Sequence, residues 1–342
     1  MNKKKYFFIF VFRHRLRNVA FNNFLKIRKI KNYKIIDLSG FFKYFLFTKI
    51  LIFLVTSFDK IFKNITLISC DGLPFIKKNA VNIWFGGTNQ KIPKKFKYYK
   101  NNIAMIRSSI SKEKHFVNLY PCFLDKNKFN KKFKIVFVGK LNLTNSPEIK
   151  LIWKKFNKII MNNFSIIEDL NFLKKVGAKD LEHTKKIYLG LKSEIRLSII
   201  KKINARFKNN LIVVGSDWKD YIVNFIEDNR NVEFVRNLYK GNLCLDFGSR
   251  WGNNCLYPRS IDIIESSGML LQLKQSDSMI IFQNLSKSIM FNSYFELLNL
   301  ILKYKKNYNL LNANYEEMCS LFENNEMNYK TFNQFKKIAK LY

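Results

Sequence analysis

Three ionisable side chains stand at intervals of three on one short segment: Arg259, Asp262 and Glu265. Pro258 precedes them and Gly268 follows. Proline suits the first turn of a helix, where its missing N–H would bond nothing. Glycine suits the residue just past a helix end, where a left-handed conformation is needed. The spacing therefore predicts a helix from Pro258, closed by a left-handed Gly268. A guanidinium at a helix start can hold a phosphate, and carboxylates further along can accept ribose hydroxyls. Plainer uses exist for each residue: a salt bridge for Arg259, and a reply to the helix dipole for the two acids.

Two other segments end in candidates of the same kind. FKIVFVGKL (Phe133–Leu141) is an apolar strand opening at Gly139-Lys140. NLIVVGSDW contains the strand Leu211–Gly215, followed by Ser216, Asp217 and Trp218. Ser216-Asp217 can cap a helix starting at Trp218, and Trp218 can simply pack. Ligands of an open parallel sheet sit beyond the carboxyl ends of its strands. Gly139-Lys140, Gly215-Ser216-Asp217 and the stretch from Phe247 to Arg259 would then share one rim. Lys140 and Arg259 offer positive charge to a diphosphate; Asp262 and Glu265 offer acceptors to hydroxyls. Lys140 alone says little, being one of 50 lysines.

The first half has weaker candidates. VNIWFGGT (Val81–Thr88) places Gly86 and Gly87 after a strand, where backbone could approach an acceptor or a phosphate. Asp71-Gly72 follows the strand Ile65–Ser69. His115 has no feature that marks it as a base.

The elements that must position these residues follow from apolar runs and turn residues. In the first half, strands are expected at Tyr6–Phe12, Lys34–Leu38, Ile65–Ser69, Val81–Phe85 and Ile103–Arg107. Helices are expected at Val19–Ile30 and Phe41–Phe58. Asn118–Leu124 and the polar run after it read as a hinge and linker, dividing a domain 1–124 from a domain 133–342 across 125–132. In the second half, a helix is expected over Lys192–Phe207. Further strands are expected at Val232–Val235, Asn242–Phe247, Met269–Leu273 and Met279–Phe282. Helices near Tyr294–Lys305 and Asn314–Leu341 close the chain. The region 144–191 reads as a largely helical insertion. Alternating strands and helices predict a parallel α/β architecture.

Composition narrows the classes. The chain has 342 residues, 47% hydrophobic and 16% aromatic, enough for two packed domains. The net charge of +36 suggests nucleic acid. Its simplest source is A/T-rich codon usage, because lysine outnumbers arginine 50 to 11 and Asn, Ile and Phe are also abundant. No RNP, KH, zinc-finger or helix-turn-helix pattern appears. Six of the 11 arginines fall between Arg196 and Arg259, which marks that stretch. The five cysteines are scattered without CxxC spacing, so reduced thiols and no metal site are expected. P-loop and GxGxxG signatures are absent. Phe41–Phe58 is interrupted by Lys43 and Lys49 and is short of the roughly 20 apolar residues of a membrane span. It reads as a buried or interfacial helix, and a cytoplasmic location with peripheral contact to the inner membrane face is expected.

Taken in order, FKIVFVGKL, NLIVVGSDW and YPRSIDIIESSG resemble the C-terminal half of GT-B glycosyltransferases. More narrowly, they resemble bacterial surface-polysaccharide enzymes with a divergent, short N-terminal half. The resemblance covers roughly Phe133–Tyr342. FNSYFELLNLILKYKKN (Phe291–Asn307) resembles the helix that follows the last strand. The chain departs from the pattern in having Asp262 where Glu is usual and one extra residue before Gly268. The ribose role is therefore open between Asp262 and Glu265.

The resemblance implies two Rossmann-like domains facing a cleft and a nucleotide-sugar donor bound by Gly139, Lys140, Gly215, Trp218, Arg259, Asp262 and Glu265. It implies transfer to a glycan or lipid-linked acceptor near Gly86 and Gly87, with no cofactor and no metal. Lys140 and Arg259 would stabilise the leaving diphosphate. If the reaction inverts, the base would come from the first half, with Asp71 the candidate. A basic nucleic-acid-binding protein and an inactive scaffold of the same fold are the alternatives.

Overall fold

The computed structural model describes residues 6–11, 33–37, 65–70, 81–86, 102–107, 116–119, 129, 131–143, 146–222, 225–227, 231–248 and 258–323. The chain forms two compact units. One comprises 1–124 with 254–265 and 320–342; the other comprises 125–253 and 266–319.

The first unit carries strands β1 (Tyr6–Val11), β2 (Tyr33–Asp37), β3 (Ile65–Cys70), β4 (Val81–Gly86), β5 (Asn102–Arg107) and β6 (Phe116–Leu119). All pair in parallel in the order β2-β1-β3-β4-β5-β6. That is the flavodoxin-like order, with its reversal between β1 and β3. The first five strands fall where the apolar runs placed them. β6 is a sixth that the hinge reading of Asn118–Leu124 overlooked. The expected helices Val19–Ile30 and Phe41–Phe58 lie outside the described residues.

The second unit carries β7 (Ile135–Val138), β8 (Leu211–Val214), β9 (Phe225–Ile226), β10 (Leu243–Asp246), β11 (Met269–Leu273) and β12 (Met290–Phe291). They too are all parallel, in the order β12-β11-β10-β7-β8-β9. Counted from β7, this is the Rossmann order 6-5-4-1-2-3, with the topological switch between β7 and β10. Every residue of β10 and β11 is buried. Apolar runs without alternation are what a parallel sheet covered on both faces requires. The chain thus contains two Rossmann-like parallel sheets, the fold class expected.

The described helices are α1 (Pro147–Asn162), α2 (Leu170–Lys175), α3 (Leu181–Phe207), α4 (Val232–Tyr239), α5 (Pro258–Glu265), α6 (Ser276–Phe282), α7 (Ser286–Ile289), α8 (Tyr294–Lys306) and α9 (Tyr308–Glu323). The β7–β8 connection is the helical insertion: α1, a 3₁₀ turn at Phe164–Glu168, α2 and α3. Gly190 lets α3 approach α1, since a Cβ there would lie 2.8 Å from the Ile149 side chain.

Several local expectations are corrected. Val232–Val235 is the first turn of α4, whose start is capped by Asn231 accepting from the Phe234 N–H at 3.1 Å. Met279–Phe282 belongs to α6, and the last strand is Met290–Phe291 instead. No helix begins at Trp218; the chain turns there, with Asp217 left-handed at φ 73°. The long helix starts at Leu181, earlier than Lys192. α9 begins at Tyr308, before Asn314. The left-handed residue after α5 is Ser267 at φ 61°, in place of Gly268. α5 has eight residues, so Glu265 closes it and no acid stands in its first turn.

Candidate functional site

The carboxyl ends of β7 and β8 form a tight backbone knot. Gly139 N–H donates to the Val214 carbonyl at 2.7 Å, and Gly215 N–H to the Ile226 carbonyl at 3.0 Å. Gly215 has φ 143°, and a Cβ there would collide with the Gly139 carbonyl oxygen. Only glycine permits this approach. Trp218 is fully buried, and its indole N–H donates to that same carbonyl at 2.7 Å. Its ring also packs T-shaped with Phe137. Trp218 thus braces Gly139 from inside the fold, and it presents no face to a ligand. Gly139, Gly215 and Trp218 are therefore brought together, as the spacing suggested, with Trp218 in a supporting place.

Lys140 follows the knot with its side chain exposed, and its carbonyl accepts from Arg196 Nη1 at 2.6 Å. Arg196 is buried on α3, its guanidinium 5.9 Å from the ring centroids of both Phe137 and Phe247. Two successive carbonyls are thus held by two large buried side chains. This fixes the backbone from which Lys140 projects.

One turn before Arg196 lies Lys192, also buried. Its ammonium donates to the Tyr188 hydroxyl at 3.1 Å, and that hydroxyl donates to Glu168 Oε1 at 3.3 Å. Burial pushes the Lys192 pKa down to about 8, against the pull of the Glu168 charge and reinforced by Arg196. Burial, then Glu168, pushes the Tyr188 phenol up. Asp246 ends β10 and is fully buried, its Oδ1 accepting from the Gly248 N–H at 3.1 Å. Gly248 is left-handed at φ 71°, and a Cβ there would strike the Gln275 carboxamide at the exit of β11. Gln275 Oε1 and Ser278 Oγ are buried with no hydrogen-bond partner among the described residues.

The ends of β7 and β10 flank the switch point of this sheet, the position where open α/β sheets bind ligands. Arg196, Lys192 and Asp246 gather a buried charge network there that motif reading missed. The one signal was the concentration of scarce arginines from Arg196 onward. Lys192 was hidden among 50 lysines. Asp246 could have been noticed as an acid closing an otherwise apolar strand, LCLD.

Arg259, Asp262 and Glu265 stand on α5, a segment that clusters with the first unit rather than with the Gly139–Trp218 knot. Arg259 is half-buried; Asp262 and Glu265 are buried. Gly86 ends β4. Gly87 and Asp71 lie outside the described residues. No group of three metal-ligating side chains occurs among the described residues. Among them, no helix is long and apolar enough to cross a membrane.

Sheet order, switch point and glycine knot define a chain built from two Rossmann-like parallel sheets. No protein-family model matches the chain, and neither does any curated protein. Among solved structures it is similar to a T4 phage BGT in complex with UDP and Mn2+, at 10% identity and a TM-score of 0.46, over 98% of this chain and 99% of that one. It is also similar to a glycosyltransferase from Rickettsia africae, at 12% identity and a TM-score of 0.44, over 99% of this chain and 100% of that one. An alpha1,3-fucosyltransferase with GDP matches at 12% identity and a TM-score of 0.44, over 99% and 92%. At these identities the likeness concerns architecture, and no residue role transfers from it.

Proposed function

We propose that the chain is a glycosyltransferase that moves a sugar from a nucleotide-sugar donor to a glycan or lipid-linked acceptor. The observation that carries this reading is the exit of β7, one strand of the switch point, where Gly215 lies against the Gly139 carbonyl and the exposed Lys140 side chain follows. Backbone without side chains and a positive charge, on a strand exit that borders a switch point, suit a diphosphate.

In this reading Lys140 and Arg259 neutralise the nucleoside diphosphate as the glycosidic bond to it breaks. Asp262 or Glu265 supplies the acceptor for the ribose hydroxyls. The buried Arg196 and Trp218 act at one remove, holding the backbone that carries Lys140. Gly86 and Gly87 would face the acceptor. In an inverting reaction Asp71 would take the proton from the acceptor hydroxyl as it attacks the anomeric carbon.

Thermal-shift screening with UDP-, GDP-, ADP- and CMP-linked sugars tests the reading. A donor at about a hundred times its Kd adds about 3 kcal/mol to stability, enough to move Tm by a few degrees. One nucleotide class is expected to shift Tm while the others do not. No shift with any of them would count against a nucleotide-sugar site.

A further inference from the structure

The helix α1 has two faces, and the fold uses one of them. Ile149, Ile152 and Ile160 are buried, with Ile149 pressed against Gly190 of α3. Glu148, the only acid of α1, meets His183 Nε2 at 3.0 Å. Lys150 lies close enough to Glu194 to influence its ionisation. These contacts anchor the inner side of the helix.

The other face holds Leu151, Lys154, Lys155, Lys158 and Ile159, all exposed. Leu151 is 66% exposed and Ile159 51%. The spacing 151, 154, 155, 158 places these residues on one stripe, with Ile159 at its edge. The stripe carries three lysines and no acid. An aliphatic side chain left in water between cations gains nothing from the protein itself.

We propose that this face of α1 docks on an anionic phospholipid surface, with Leu151 and Ile159 entering the headgroup–acyl boundary and the three lysines meeting lipid phosphates. Charge complementarity selects an anionic partner. The aliphatic pair selects lipid over nucleic acid. Nucleic acid would use the lysines but offers aliphatic groups no apolar layer, and bases stack on aromatic rings, which the stripe lacks. The docking face stands on α1 alone and is independent of the glycosyltransferase reading.

The test is co-sedimentation of the full chain with phosphatidylcholine vesicles, with and without phosphatidylglycerol. Wild type is expected to pellet with the phosphatidylglycerol vesicles and to be released by salt. Leu151→Ser/Ile159→Ser and Lys154→Gln/Lys155→Gln/Lys158→Gln are each expected to weaken partitioning about tenfold or more. A control, Lys303→Gln/Lys305→Gln/Lys306→Gln on α8, removes equal charge elsewhere and is expected to change it little. All these positions are exposed, and unchanged Tm confirms folding. Vesicle binding equal in wild type and both α1 variants would overturn the proposal. So would an equal loss in the α8 control, or no vesicle binding alongside α1-dependent binding of a DNA or RNA duplex.

Discussion

The indole N–H of Trp218 donates to the Gly139 carbonyl oxygen at 2.7 Å, across 79 residues of sequence. One hydrogen bond thus ties the exit of β7 to the turn after β8, beneath the glycine contact that keeps both backbones close. Replacing the indole by a phenyl ring removes this bond together with part of the packing around it. Trp218→Phe is expected to cost about 1–3 kcal/mol, because the carbonyl loses a buried donor. Urea unfolding of the two proteins measures it, and equal midpoints would show that the bond does not hold the knot.

Gly215 and Gly177 separate strain from collision. Both have positive φ, 143° and 102°, but a Cβ at Gly177 meets nothing within 4 Å, whereas one at Gly215 meets the Gly139 carbonyl. Gly177→Ala is expected to cost about 1 kcal/mol. Gly215→Ala is expected to cost about 3 kcal/mol or more, since backbone must move. Thermal unfolding of both variants checks the order, and equal losses would contradict the close approach.

Lys192 gives a pH signature. Its folded pKa is about 8 against a usual 10.5, so between those values the unfolded chain binds more protons than the folded one. Stability from this group therefore rises as pH goes from about 8 to 10.5, by on the order of 3 kcal/mol. Below pH 8 the cost of burying the charge is fully present. Lys192→Met removes this rise, so the difference in Tm between wild type and variant should change across that window. A difference constant with pH would mean that Lys192 titrates as an exposed lysine does.

Much of the fold was legible because parallel strands buried on both faces leave apolar runs that need no alternation. Short apolar runs were the exception. Met279–Phe282 has the composition of a strand, yet Met279 and Ile280 are exposed while Ile281 and Phe282 are buried. Pairs turned out and pairs turned in belong to a helix. Val232–Val235 was misread because the capping by Asn231 outweighs β propensity, and a cap is a weaker signal than two valines. Of the knot, Gly139 and Gly215 were legible as glycines closing apolar strands. Arg196 and Lys192 were not, because nothing in a lysine-rich helix says which cation faces inward. Trp218 was found by position, but its role depended on a hydrogen bond that sequence does not display.

Transfer chemistry at the donor diphosphate is tested most directly by single-turnover transfer or hydrolysis of the donor that shifts Tm. Wild type, Lys140→Ala and Arg259→Ala would be compared. Loss of a cation that neutralises the leaving diphosphate is expected to lower the rate about a hundredfold or more in each variant, with Tm of unliganded Lys140→Ala, an exposed position, little changed. Turnover in wild type matched by both variants, or no turnover with any nucleotide sugar, would contradict the account.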